Sequence, residues 1–536
     1  MMLGKPVASM LVFLAIAAVA FWGYISWPSS YIPEEDMGYF MTSVQLPAGA
    51  SVERTEKVVD ELAAEIKKIP YVKDVMAMSG FSMMGGGASS NMGSMIVVLE
   101  PWSKRGKKGN INNVIDMVDE LSAKQQEAIV FSVNPPAIQG LGESSGLQMQ
   151  LLDINSLGTA EMMKALKEIQ LKAQSDPRIK SVTTLEQGLV PQYAVKIDRD
   201  RVELQGINLQ QVYDVLSSYL GSSYVNDFVD FGRTFQVTMQ GDATSRKTAN
   251  DIIKLSVPNS KGEMVPFSTF CSIEPSMGEP SVSRYNMYQT VSLTATPAKG
   301  VSSSEGIKAM EEIVKEAVGK NFSYAWSGIA YQETQSGTTI SFVFIFAIIM
   351  TILVLSAQYE SWTDPIAVVL SMPTAILGTV LGCIFMNESI SIYTQIGLIL
   401  LLGMSAKNAI LIVEYAMDFR KSGKDIRQSA HDAGVIRFRP IMMTALAFVF
   451  GVMPMMFSTG AGANSRIDLG TAVVFGMALN GLIGTLFVPT FWEVMQTVNE
   501  RWLSKLIKQP PVKTPASSSS SDTNSGAPSD SSSTSI

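Results

Sequence analysis

The sequence predicts a polytopic α-helical membrane protein, with six transmembrane helices and a large external α+β region of ferredoxin-like subdomains. Three observations predict it. The 536 residues are 46% hydrophobic and only 17% charged, with a mean hydropathy of +0.20. The apolar residues gather in long runs toward the two ends, several of them holding the roughly 20 residues needed to cross about 30 Å of hydrocarbon. The stretch between the first and second runs instead shows the alternation and helical spacing of a folded, water-facing region.

Six segments qualify as spans: Val7 to Trp27, Thr339 to Leu355, Pro365 to Met386, Thr394 to Ala416, Pro440 to Phe457 and Leu469 to Thr497. The first has Lys5 ahead of its apolar run, as a signal peptide does, but the run is long and no small-residue cleavage site follows it, so it reads as a retained anchor. Basic residues orient the rest. Arg420, Lys421, Lys424, Arg427, Arg437 and Arg439 crowd one loop, and Arg501, Lys505 and Lys508 follow the last span, whereas the loops at Asn387 to Ser391 and Ser458 to Asp468 offer only Arg466. The positive side is cytoplasmic. Both termini then lie in the cytoplasm and Pro28 to about Gly337 lies outside, in the periplasm of a Gram-negative host. The Ser-rich stretch from Thr514 cannot bury a core and reads as disordered.

In the external region, Tyr39 to Pro47 alternates like a strand and Ser51 to Ile69 has helical spacing. Strands at Tyr71 to Ser79 and Met95 to Pro101, a helix over Asn112 to Gln125 and a strand at Ala128 to Asn134 complete two strand-helix-strand units in tandem, the ferredoxin-like pattern. The series recurs as Leu147 to Asp153, a helix over Thr159 to Gln174 and Ile179 to Glu186, then much later as Tyr288 to Pro297, a helix over Ser303 to Val318 and Phe322 to Gly328. The second unit is therefore split by an insert with strands at Gln192 to Asp198 and Thr234 to Gln240 and a helix over Leu209 to Leu220, expected to project as a docking-type subdomain. The expected organisation is a first span within 1–30, a porter subdomain at 31–141, and a second porter subdomain at 142–186 and 273–337. The insert is 187–272, a five-helix bundle occupies 338–500, and the tail is 501–536.

Lys407 is the residue with the sharpest chemical message. It sits inside the apolar helix Ile396 to Ala416, where a lysine costs about 2.5–3.5 kcal/mol on insertion scales and therefore usually faces a bundle interior or an ion pathway. The other spans hold acids only near their ends: Asp364, Glu388, Glu414, Asp468 and Glu493. Either Lys407 snorkels to the cytoplasmic edge, or its counter-ion lies on another polypeptide or a deleted half. Glu414 reads as a solvated end residue, and the Gly378/Gly382 spacing as close helix packing.

Other chemistries find little support. A net charge of −7 and a single histidine, His431, argue against nucleic-acid binding and against histidine catalysis or a histidine metal site. Cys271 and Cys383 fall in different compartments and cannot form a disulfide framework. No phosphate-binding GxxxxGK[ST] loop and no hydrolytic constellation is present, so the chain reads as neither an ATP-driven transporter nor an enzyme.

The stretches SAKNAILIVEYA (405–416), RFRPIMMTALAFVFGVMPMMFSTGAG (437–462) and SSYIPEEDMGYFMTSVQLPAGAS (29–51) are together highly specific. In them the chain resembles the C-terminal half of a resistance-nodulation-division (RND) transporter of the hydrophobe/amphiphile multidrug-efflux branch, over Gly4 to about Arg501. The resemblance implies an inner-membrane proton/drug antiporter. It implies an N-terminal half whose fourth helix faces Lys407 with an aspartate pair, a homotrimer of complete protomers in membrane lipid, a periplasmic adaptor and an outer-membrane channel, and no cofactor. It gives Lys407 as the central cation, Asn408 as its polar neighbour, Thr444 as a relay hydroxyl and Arg437 as the cytoplasmic-side base. Taken alone, Thr444 would simply bond back to its own helix, and Arg437 would serve as an orientation charge.

The resemblance also places a glycine-flanked loop, Gly80 to Met84 and the glycines after it, between two drug pockets, with Met41, Phe81, Met83, Leu147 and Met149 as candidate pocket residues. Met76, Met83 and Ile96 stand where relatives often have Phe, which makes the pocket softer. The competing account of these positions is strand packing beneath a helix. Methionine density also raises heavy-metal export, since thioethers select Cu(I) or Ag(I), but metal-exporting relatives replace the lysine with an acid and this chain keeps Lys407. The remaining alternative is a membrane-anchored protein that does not transport.

Overall fold

The computed structural model describes residues 6–500 other than 86 and 107; Lys5 and the Ser-rich tail lie outside the described residues. The chain opens with helix α1 (Pro6–Ser26) and then builds a sheet from β1 (Tyr39–Gln45), β2 (Val72–Ser82), β3 (Gly87–Leu99) and β4 (Ile129–Val133), ordered β2-β3-β1-β4 with antiparallel neighbours. Helices α2 (Val52–Ile66) and α4 (Ile111–Ser122) cover one face of it, and a short turn, α3 (Trp102–Arg105), lies between. Ser51 starts α2 by accepting from the Arg54 amide, and Asn110 starts α4 in the same way from Asn112. Phe40 and Val44 of β1 and Met95, Val97 and Leu99 of β3 point into the helices, as period-two alternation requires.

The second sheet uses β5 (Leu147–Asp153), β6 (Ile179–Thr183) and, far along the chain, β13 (Arg284–Tyr285), β14 (Tyr288–Pro297) and β15 (Ser323–Ser327). β5 lies between β14 and β15, and β6 and β13 also pair with β14. Helices α5 (Thr159–Ser175) and α8 (Ser303–Val318) close its core, α8 beginning with a Ser302/Glu305 capping box. Between the two parts of this sheet come β7 (Val190–Ile197), α6 (Arg199–Leu204), α7 (Leu209–Leu220) and the exposed hairpin of β8 (Ser223–Asp230) and β9 (Arg233–Met239). A small pair, β10 (Ser256–Pro258) and β11 (Met264–Pro266), and β12 (Cys271–Gly278) complete the segment. β12 pairs with β7 along its whole length and so continues to Gly278, past the expected limit at 272.

The membrane-compatible helices are α1, α9 (Gly328–Tyr359), α10 (Asp364–Val369) with α11 (Met372–Met386), α12 (Ile392–Lys421), α13 (Ile426–Val452), and α14 (Ala463–Leu479) running through a π-helical turn into α15 (Thr485–Val498). By length and composition six of these stretches qualify as candidate spans. Two differ most from the sequence expectation. α9 starts directly at the end of β15, and α13 begins at Ile426 and carries Pro440 in its interior, so the stretch ahead of Pro440 is helix and not loop. Proline marks the start of the expected span because it removes an N–H and clashes with the preceding turn, yet spanning helices tolerate that loss where neighbours pack against it. Gly378 and Gly382 bring α11 against α14: a Cβ at Gly378 would lie 2.5 Å from the Phe475 carbonyl oxygen.

Candidate functional site

α12 is capped by Ser391, whose hydroxyl accepts from the Thr394 amide, and its 30 residues make a helix about 45 Å long. One side, with Leu401, Ser405, Asn408 and Ile412, is buried in the bundle, whereas Ile396, Leu400, Gly403, Lys407 and Glu414 form an exposed stripe among the described residues. Lys407 is exposed on that stripe and makes no ion pair among the described residues. A Cβ built on the adjacent Gly403 meets no atom within 4 Å.

Asn408 faces the other way. It is 5% exposed and its Nδ2 has no hydrogen-bond acceptor. Arg437 of α13 stacks its guanidinium 3.6 Å from the Tyr415 ring centroid on α12, so its charge rests against an aromatic face. The two helices are joined by a short turn and run antiparallel, so going seven residues from Arg437 to Thr444 climbs about 10 Å back along α12. That puts Thr444 level with Lys407 and Asn408. Its hydroxyl donates to the Ile441 carbonyl at 2.9 Å and touches neither residue. Three of the four expected relay positions thus share one depth, Arg437 lies two turns nearer the turn that joins α12 to α13, and the described residues supply no carboxylate to Lys407.

The pocket candidates divide. Met41 lies on the face of the first sheet away from α2 and α4, in a row Met76–Ile96–Met41–Val133 across four strands. Phe81 is 41% exposed near the end of β2, and Met83 is half-buried in the turn after it. Ser94 shapes that turn, donating to the Phe81 carbonyl at 3.1 Å and accepting from the Met83 amide at 2.9 Å. The loop is shorter than the sequence suggests, because Gly80, Phe81 and Ser82 belong to β2 and the described turn begins at Met83. Leu147 and Met149 are corrected more strongly. They are 4% and 0% exposed and lie in the core beneath α5 and α8, on the helix-covered face of their sheet. Strand alternation turns them away from the open face that Met41 occupies on the other sheet.

Sequence reasoning missed a buried polar clamp. Asn480, at the start of the π-helical turn, donates from Nδ2 to the Ser405 hydroxyl at 2.9 Å and accepts from Thr374 at 2.8 Å, joining α14 to α12 and α11 two residues before Lys407. The available signal was Asn480 itself, an amide inside an apolar run, which must find partners there. A second missed contact is Glu35, 3% exposed, whose carboxylate accepts the Asn464 amide at 3.1 Å and the Ser465 amide, capping the N-terminus of α14. Outside the bundle, burial pushes the Glu186 and Glu333 carboxyls above the ordinary carboxylate range.

Long apolar helices packed through glycines, with an α/β region between the first and second, define an integral membrane protein with a large extramembrane part. More closely, the chain belongs to the AcrB/AcrD/AcrF family of RND multidrug efflux pumps, whose profile matches residues 1–496. It is 35% identical over 498 residues to the toluene efflux pump membrane transporter TtgB of Pseudomonas putida, covering 92% of this chain and 47% of TtgB. It is 35% identical over 500 residues to the multidrug export protein AcrF of Escherichia coli (strain K12), covering 92% of this chain and 48% of AcrF. The multidrug resistance protein MdtF of the same strain is 34% identical over 498 residues, with 92% and 48% covered. The chain spans about half the length of these relatives.

Proposed function

We propose that this chain is one half of an inner-membrane, proton-driven efflux transporter for hydrophobic or amphiphilic compounds, active only with a second half. The observation that carries the reading is Lys407: an ammonium in the middle of a long helix, on a bare stripe beside a glycine that leaves room for close approach by another helix. Six helices cross the membrane, both termini are cytoplasmic, and two ferredoxin-like porter subdomains with a docking insert stand in the periplasm. A carboxylate pair on the second half faces Lys407. Its ionisation draws the ammonium in and its protonation releases it, coupling proton occupancy to helix position. Asn408, Thr444 and Arg437 border this exchange. Phe81, Met83 and Met41 line the drug path. Complete protomers form a homotrimer that meets a periplasmic adaptor and an outer-membrane channel. The names of the relatives concern toluene and multiple drugs, which favours organic cargo over soft metal ions.

The test is expression in a pump-deficient host, alone and with a second half bearing a mid-membrane carboxylate pair. The chain alone gives no resistance, and the pair gives resistance that collapses with the proton gradient. Gradient-dependent resistance from this chain alone would overturn the reading.

A further inference from the structure

The outer end of the bundle holds a second ionisable group that this transport scheme does not use. Asp468, in the second turn of α14, is 2% exposed. Its Oδ2 accepts from the Ser391 hydroxyl and its Oδ1 has no hydrogen-bond partner. No ion pair reaches it among the described residues. Ser391 of α12 touches it, and Glu388 from the loop after α11, Cys383 of α11 and Glu35 from the segment after α1 lie close enough to interact with it electrostatically. The Met453–Phe457 turn brings Met455 and Met456 against Gly470 of α14. Arg466, the one nearby cation in sequence, turns instead to the Thr459 and Ala461 carbonyls.

Among the described residues, the charges that act on Asp468 are therefore acidic. Glu35 already spends its carboxylate on the α14 amides, and burial pushes the Glu388 carboxyl upward. The N-terminus of α12 favours an anion. Against that stand the loss of hydration at a nearly sealed carboxyl, one donor where an ionised carboxylate takes several, and two neighbours of like sign. The residue touching Asp468 is the N-cap of the Lys407 helix. We propose that Asp468 is a proton-binding site at the outer end of the bundle, whose occupancy acts through Ser391 on the first turn of the helix that carries Lys407. With the proton bound, the N-cap rests against a neutral acid. Without it, three carboxylates face one another across the junction of α12, α14 and the strap from α1, and the first turn of α12 loosens.

The test uses the full chain in phospholipid nanodiscs, with carbonyl-labelled aspartate and infrared spectra across a pH series. At neutral pH the wild type shows a protonated-carboxyl band that Asp468→Asn removes and Glu388→Gln leaves in place. A folded Asp468→Asn protein that loses no such band overturns the proposal. Should that variant not fold, Ser391→Ala serves: the same band shifts because its hydrogen-bond partner is gone, and an unshifted band also overturns the proposal. Amide exchange at Ile392 to Thr394 reads the coupling. It carries a pH dependence, beyond that of intrinsic exchange, which Asp468→Asn abolishes, and exchange that follows the wild-type curve in the variant counts against the link. None of these measurements requires export, so they stand apart from the two-half reading.

Discussion

The glycines of the bundle separate two kinds of helix surface. Cβ atoms at Gly378, Gly382, Gly397 and Gly476 would collide with neighbours at 2.3–2.9 Å, whereas those at Gly403 on α12 and Gly451 on α13 would meet nothing within 4 Å. At the first set glycine is needed because another helix of this chain is already there. At the second set the room is present and the neighbour is not. Lys407 and Thr444 lie on the second kind of surface, and Asn408 and Ser405 on the first. Packing chemistry on one helix thus distinguishes a filled interface from an open face.

Lys407→Ala tests this division with the largest expected effect. In a reconstituted two-half pump, efflux falls to background while expression and assembly persist, because a bare ammonium carries charge and not packing. Lys407→Arg restores little, since a planar fork does not replace a compact ammonium. Wild-type efflux in the alanine variant would reduce Lys407 to a snorkelling residue.

Gly378→Val acts on the finished side. The added methyls meet backbone at Phe475 and Gly476, which cannot swing away, and overpacking of this kind costs roughly 1–3 kcal/mol or more. The melting temperature in detergent falls. Gly403→Ala, on the open side, leaves the melting temperature of the isolated chain unchanged and weakens association with the second half.

The pocket residues give smaller effects. Phe81→Ala loses at most about 1.5–3 kcal/mol of ring burial, seen as uneven changes across a drug panel, whereas Met83→Leu costs under about 1.5 kcal/mol because volume and apolarity are nearly kept. Loss of silver resistance in Met83→Leu with an unchanged drug profile in Phe81→Ala would favour metal export. Leu147→Ala and Met149→Ala lower stability and leave the drug profile even, since both residues are core.

The smallest effect is at the end of the bundle beside the turn from α12 to α13, where Glu500 takes a bidentate pair from Arg420 at 2.8 and 3.0 Å. That hydrogen-bonded guanidinium holds the Glu500 carboxyl below its ordinary value. The contribution is therefore present above the carboxyl's unfolded value and lost as pH falls through the folded one. For a pair about one-third exposed it is worth under about 1 kcal/mol. The stability difference between wild type and Arg420→Gln shrinks to nothing in acid.

Much of the α/β region is legible in the sequence because strand and helix periods are local. The strand at Leu147 to Asp153 and the helix over Ser303 to Val318 have the limits the pattern suggests. The face each strand presents is less legible. Alternation says that Met41 and Thr42 point to opposite sides of one strand, but not which side a helix will cover, and so Leu147 and Met149 read as pocket residues although they form a core. The helix through Pro440 extends beyond its expected start for a related reason: packing in the bundle overrides a local rule about proline.

By itself the sequence determined that this chain carries membrane-length helices, an α/β region between the first and second of them, and a lysine in the middle of one, because hydrophobic length and charge are properties of short stretches. Only the tertiary structure decided that Lys407 faces outward from a bundle that seals Asn408 inside, that Asn480 clamps the same turn from within, and that Asp468 touches the cap of the Lys407 helix. Those facts depend on which helices meet and at what rotation. Rotation is set by the summed packing of glycines, hydroxyls and apolar side chains from distant parts of the chain, and no local stretch of sequence contains that sum.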